Sequence, residues 1–138
     1  MFVHPFKANQ GSCGVGYLNG AAGTALTASK MFSVVSDGVD GVYYCNEYTL
    51  AHELAHNMGM SHNKENANGY GVYVDSFGYR VANVFGDIMS YERNVVGKFS
   101  SPKFTYNNYP MGIEGKADTA RGLKLTAPIV SNFMPTVK

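Results

Sequence analysis

Between His52 and His62 the chain reads HELAHNMGMSH, a stretch that restricts both fold and chemistry. If it is helical through His56, the imidazoles of His52 and His56 stand one turn apart on the same face. Two imidazoles at that spacing can grip one metal ion, and Glu53 between them is placed to act as a general base. Gly59 follows, where a residue tolerant of a left-handed backbone would end the helix and turn the chain back. His62 then supplies a third imidazole. Three neutral histidines leave a tetrahedral Zn²⁺ one open position for water, as in catalytic rather than structural sites. HExxH alone arises by chance in on the order of a few chains per thousand, and fixing Gly59 and His62 lowers that by roughly several hundred-fold. The alternative is a helix that merely displays surface histidines.

The flanks of the motif predict how it is mounted. Asn46 is the expected N-cap of the helix, and Glu47 suits its positive end. Leu50, Leu54 and Met58 repeat every fourth residue, which predicts an apolar stripe packed on the core. At about 100° per residue, His52 and His56 then point the other way, into a cleft.

The 138 residues are 45% hydrophobic, enough for one compact domain over 1–138 and too little for two. A net charge of +1 without any Lys/Arg cluster carries no electrostatic footprint for nucleic acid. No apolar run is long enough to span a bilayer. The opening MFVHPFKANQ lacks the charged start and apolar centre of a secretory signal. Sixteen Gly, ten Tyr and few charges point to a loop-rich extracellular type of domain, expected to be a monomer. Cys13 and Cys45 are open to two readings. One is a disulfide tying the segment before the helix to an upstream strand, which implies an exported protein. The other is a pair of free buried thiols.

Along the chain, Ser12 to Leu18 (SCGVGYL) reads as a strand ended by the Asn19-Gly20 turn. The following AAGTALTASK is expected to be loop. Met31 to Ser36 reads as a second strand ended by Asp37-Gly38 and Asp40-Gly41. After His62, NKENANGY is polar and turn-prone and reads as an exposed loop. Gly69 to Arg80 is irregular or a short hairpin. Asp87-Ile88-Met89-Ser90-Tyr91 is a compact segment whose Met89 would by itself be ordinary core filling. Phe99 to Pro102 and the Asn/Tyr/Pro stretch to Pro110 read as loop. A last helix is expected from near Ala117, with Leu123 and Leu125 toward the core. Pro128 should end or kink it, and a turn through Ile129, Val130 and Phe133 would cap the core.

HELAHNMGMSH together with DIMSY resembles the metzincin zinc peptidases, whose zinc motif is followed by a Met-turn. SCGVGYL, Asn57, FSSP and the tail ADTARGLKLTAPIVSNF narrow the resemblance to bacterial reprolysin-like metallopeptidases, over Ser12 to Phe133. The resemblance implies an α/β fold: a twisted sheet and the active-site helix above a small C-terminal subdomain with the Met-turn and a last helix. It also implies His52, His56 and His62 as zinc ligands, Glu53 as the base and Met89 beneath the metal. SCGVGYL would match the edge strand along which an extended substrate adds its backbone. Family members carry further strands and helices ahead of SCGVGYL. The chain is therefore expected to be either a shortened version or the product of a sequence that begins inside a longer gene, with an exposed sheet edge.

Tyr91 lies two residues after Met89, where astacins and serralysins place an extra zinc ligand or oxyanion donor. Many animal reprolysins lack it, and a plain packing role is the alternative. The segment after Met89 should wall the pocket for the residue following the scissile bond, and it holds Arg93 and Lys98. A basic wall would suit relatives that cut before aspartate; solvated surface charge is the other reading, and the favoured one. The expected activity is zinc-dependent hydrolysis of peptide bonds in proteins. The competing expectations are a non-catalytic zinc-stabilised module that binds peptides, and a truncated peptidase without a stable fold.

Overall fold

The computed structural model describes residues 5–6, 13–36, 38–40 and 43–134. Its sheets are short, because strands rich in Gly and Ser offer few side chains to pack. Strands β1 (Pro5–Phe6), β2 (Gly14–Gly16) and β3 (Ser33–Ser36) form one sheet in the order β1-β3-β2. Strand β1 runs parallel to β3, and β2 antiparallel to it with Gly14 opposite Val35 and Gly16 opposite Ser33. The first expected strand is thus present but shortened; Ser12 lies outside the described residues. Alternation along β2 sends Val15 outward and turns the faces of Gly14 and Gly16 toward the helix that follows.

Strands β4 (Gly38–Asp40) and β5 (Tyr43–Cys45) pair as an antiparallel hairpin. Two turn signals were expected here. Gly38 and Asp40 instead lie in a strand, where pairing with β5 outweighs their turn preference, while Asp37 and Gly41 lie outside the described residues. The Cys13–Cys45 disulfide is formed and staples the start of β2 to the end of β5, just ahead of the helix. The expected loop between Asn19 and Lys30 holds two short 3₁₀ turns, Ala21–Gly23 and Ala28–Lys30. The buried Asn19 pins it: its amide donates to Thr27 O at 2.9 Å and its Oδ1 accepts from Thr27 N at 3.0 Å.

Helix α1 spans Thr49–Asn57. Asn46 does not cap its first turn. Asn46 Oδ1 instead accepts from Tyr48 N at 2.9 Å and its carbonyl from Thr49 N at 3.1 Å, closing the turn that leads into the helix. The far end is a Schellman closure around Gly59, whose φ is +91°. Gly59 N donates to His56 O at 3.0 Å and Met60 N to Ala55 O at 2.9 Å.

The apolar stripe expected of this helix is not its buried face. Leu50 is 40% exposed and Leu54 and Met58 are half-buried, whereas Glu53, Ala55, His56 and Asn57 are buried. The polar face is buried because its amide and imidazole N–H groups meet carbonyl partners, although Asn57 Oδ1 has none among the described residues. Asn57 donates to Tyr17 O at 3.2 Å and Phe32 O at 3.0 Å, bonding the helix to the ends of β2 and β3. The core proper is a cluster of Ala55, Met60, Ile88 and Met89, with Tyr48, Val72, Phe99 and Leu123 against it.

Beyond the helix, β6 (Ser61–Asn63) runs parallel to β7 (Phe77–Gly78). Asn63, expected in an exposed loop, is buried as the last residue of β6. Gly69–Arg80 is largely irregular, holding β7, and the small hairpin of β8 (Arg80–Val81) with β9 (Phe85–Gly86) lies beyond it, where none was expected. The stretch from Ser101 to Met111 is not loop: β10 (Ser101–Tyr106) and β11 (Tyr109–Met111) pair across Asn107-Asn108. Both asparagines take positive φ, 48° and 65°, as a type I′ hairpin turn demands and as Asn tolerates.

Helix α2 spans Thr119–Ser131. It begins two residues after the expected start, because Asp118 caps it by accepting from Arg121 N at 3.0 Å. Pro128 does not end it; the helix runs through Pro128, whose carbonyl accepts from Ser131 Oγ and Asn132 Nδ2. Leu125 and Ile129 are exposed, and Thr119, Gly122 and Thr126 form the buried contact. Small residues let the helix sit close: a Cβ on Gly122 would lie 2.6 Å from Met60 Sδ. The fold is therefore mixed α/β, with two α-helices and short sheets among the described residues. No helix among them is long and apolar enough to cross a membrane.

Replacing Gly59 by Ala should test the helix closure. A Cβ there would stand 2.8 Å from Val72 Cβ, on a left-handed backbone that costs a side chain about 1–2 kcal/mol. The urea midpoint should fall accordingly; an unchanged midpoint would mean that the turn relaxes freely.

Candidate metal centre

Helix geometry sets the first two imidazoles. His52 and His56 are one turn apart on α1, with ring centroids 4.7 Å apart. The Gly59 turn then carries the chain into β6, which brings His62 across. His62 Nε2 lies 3.1 Å from His52 Nε2 and 3.0 Å from His56 Nε2. One ligand atom from each of the three falls within 4.8 Å of the others. Nitrogens bound 2.0–2.1 Å from a tetrahedral ion lie roughly 3.3 Å apart, close to the two sides that meet at His62.

The rear of the rings explains why the nitrogens converge. His52 Nδ1 donates to Ile88 O at 2.7 Å and His56 Nδ1 to Met60 O at 2.7 Å. A carbonyl accepts only, so each Nδ1 carries the proton and each Nε2 turns a lone pair to the centre. Burial pushes the imidazoles toward neutrality: His56 down to about 3, His62 down to about 4, and His52 below its ordinary value. The neighbouring histidines add to the shift at His56 and His62. Two lone pairs held toward one point, with the Nε2 of His62 about 3 Å from each, suit a cation. The residues fit a metal ion.

Glu53 sits beside the triad on α1, 6% exposed. Burial raises its carboxyl to about 7. Tyr91 Oη lies 2.9 Å from His62 Nε2, so the structure brings Tyr91 to the site rather than into the core. Its backbone is tied there through Tyr91 N to Asn63 Oδ1 at 3.2 Å, next to the third histidine. A cleft opens beside these groups, lined by Tyr48, Thr49, Ile88, Ser90, Glu92 and Val95. Arg93 and Lys98 do not line it. Both are exposed, as the surface-charge reading held, and Lys98 Nζ lies 5.3 Å over the Phe104 ring.

Met89 is fully buried in the turn Asp87–Ser90, which closes with Ser90 N donating to Asp87 O at 3.1 Å. Asp87 was not singled out from sequence, yet it organises this segment. Its Oδ1 accepts from Tyr79 N and Met89 N, both at 3.1 Å, and its Oδ2 from Ser100 N at 2.8 Å. It thereby fixes Ile88, whose carbonyl orients His52. Burial raises its carboxyl to about 6, and the N–H bonds offset only part of that. The only trace in the sequence is an acid beside a buried methionine, which says nothing about partners 8 and 13 residues away.

Three histidines brought together from a helix and the strand after it could hold a metal ion, an arrangement that metallohydrolases use. The sequence model for Metallo-peptidase family M12B Reprolysin-like matches residues 1–114. The chain belongs to that family. It is similar to the peptidyl-Asp metalloendopeptidase of Pseudomonas aeruginosa, 30% identical over 146 residues that cover 91% of this chain and 24% of that protein. The proteins of the same name from Stenotrophomonas maltophilia and Xanthomonas campestris are 29% and 30% identical over 91% of this chain, covering 30% and 29% of their own lengths. The chain thus spans between about a quarter and a third of the curated relatives it matches. No solved structure gives a significant match.

Two measurements follow from the geometry. A divalent transition ion added to stripped protein should raise its melting temperature, and His56→Ala should abolish the rise; an equal rise in the variant would place the ion elsewhere. Asp87→Asn should destabilise the fold by about 1–3 kcal/mol, since its amide turns N–H toward N–H donors. The wild-type carboxyl, raised from 3.8 to about 6 by burial, favours the folded state below 3.8 and loses that contribution as pH rises through about 6. The gap between variant and wild type in urea titrations should therefore be wider at pH 4 than at pH 7. The opposite order would mean that the three N–H donors outweigh burial.

Proposed function

We propose that the chain is the catalytic domain, over 1–138, of a zinc endopeptidase that hydrolyses peptide bonds in protein substrates. The observation that carries this reading is the convergence of three imidazole nitrogens beside a buried carboxyl. His52, His56 and His62 would hold the zinc. Bound there, the ion supplies Lewis acidity, polarising a peptide carbonyl and making a water acidic near neutral pH.

The remaining work falls to the chain's own groups. Glu53 takes the proton of the attacking water on its carboxylate and passes it to the departing amine nitrogen. Burial raises this carboxyl, which makes it a stronger proton acceptor than an exposed glutamate. The Tyr91 hydroxyl, beside His62, is placed to donate to the carbonyl oxygen as charge develops on it. Strand β2, at one edge of its sheet, offers backbone groups to an extended substrate. Turn Asp87–Ser90 serves as the Met-turn, with Met89 as the apolar floor beneath the metal site. It would belong, with α2, to a lower subdomain, the β1–β3 sheet and α1 forming the upper one.

The Cys13–Cys45 disulfide supports a secreted protein. The aspartate in the relatives' name draws no support from Arg93 or Lys98, since neither lines the cleft. The deciding experiment pairs zinc content with cleavage of a denatured protein substrate. About one zinc per chain, with cleavage abolished by chelation, is the expected result. Glu53→Gln should keep the zinc and the fold while the rate falls on the order of 10²–10⁴-fold. Zinc without cleavage would instead favour a peptide-binding module, and a fully active Gln variant would remove Glu53 from its role.

A further inference from the structure

Strand β2 contains two glycines in three residues, an unfavourable composition for a strand, because glycine adds no packing and loses the most freedom on folding. Neither glycine needs an unusual backbone, since Gly14 and Gly16 are not among the residues with positive φ. What they share is a neighbour. A Cβ on Gly14 would lie 2.5 Å from Glu53 Oε1, 2.7 Å from its Cγ and 2.9 Å from its Cδ. A Cβ on Gly16 would lie 2.9 Å from Glu53 Oε2 and 3.0 Å from the Glu53 carbonyl oxygen. The two absent side chains leave a notch as wide as one carboxylate, and the Glu53 carboxylate lies in it.

We propose that Gly14 and Gly16 are positioning residues: together they form the seat of the Glu53 carboxylate and hold it beside the three histidines. The inference rests on Glu53 as the proton carrier. At Gly14 the three nearest atoms all belong to the flexible part of the Glu53 side chain, so a methyl there displaces the carboxylate rather than the fold. The open direction for the displaced group is the cleft between Tyr48, Thr49 and Tyr91. At Gly16 the methyl also meets the backbone of α1, so it strains the helix as well. The Cys13–Cys45 disulfide anchors the residue next to Gly14, which keeps the seat from yielding by movement of the strand. A group that transfers protons loses rate steeply with misplacement, about 10²-fold for an error on the order of 1 Å.

Three measurements on the zinc-loaded full chain test this. In Gly14→Ala, kcat should fall on the order of 10²-fold while KM and bound zinc stay at wild-type values. Val34→Ala, on the outward face of β3, should leave kcat unchanged. A Gly14→Ala variant with wild-type kcat would overturn the seat. The melting temperature provides a readout independent of turnover. Any loss caused by Gly14→Ala should vanish in a Glu53→Ala background, where the notch is empty. The loss caused by Gly16→Ala should persist in part, because the Glu53 carbonyl remains. A Gly14→Ala loss that persists undiminished would place the strain elsewhere and overturn the proposal. Wild-type protein without turnover would remove the peptidase reading and still leave this melting cycle to decide whether the seat exists.

Discussion

Two backbone carbonyls carry more of this structure than any side chain. Ile88 O and Met60 O each accept the Nδ1 proton of a histidine, and those two bonds decide where the Nε2 lone pairs point. The segments that supply them are themselves fixed. Met60 follows directly on the Gly59 closure, and Ile88 lies in a turn clamped by the carboxylate of Asp87. Loosening either would let a ring rotate, and convergence of three nitrogens tolerates little rotation.

The interior is accordingly more polar than its length would suggest. Asn19, Asn57, Asn63, Ser100 and Thr119 are almost completely buried, the first bonded across its own loop to Thr27 and the others to backbone of segments remote in sequence. Ser100 alone joins Phe77, Asp87 and Thr119. Apolar contacts have no preferred direction, whereas these bonds do, and a site that depends on orientation gains from them. The Asp75–Arg121 ion pair, 3.1 Å, adds a tie between the loop before β7 and α2, near the protein surface.

This polar interior is also why the apolar stripe of α1 is not its buried face, although His52 lines the cleft as expected. Leu50, Leu54 and Met58 satisfy the helical period, yet the buried face is Glu53, His56 and Asn57. A hydrophobic stripe predicts burial only when the competing face has no partners. Here that face meets the ends of β2 and β3, the notch of Gly14 and Gly16, and the carbonyls behind the rings. The Asn107-Asn108 hairpin was missed for a different reason. Its signal lies in the tolerance of Asn for positive φ at two successive positions, without the glycine that usually announces it.

The sequence by itself determined the group of three histidines that could hold a metal ion. The spacing of His52 and His56, the helix-ending Gly59 and the short reach to His62 act over a few residues, and local backbone geometry converts them directly into structure. The pairing of Cys13 with Cys45 was legible as one of two options, for want of any distance to choose by. The tertiary structure alone decided which face of α1 is buried, which carbonyls orient the imidazoles, that Tyr91 stands at His62, and that Arg93 and Lys98 stand away from the cleft. Apart from the Met60 carbonyl, four residues from His56, these depend on contacts between segments distant in sequence, whose partners carry no mark of one another there.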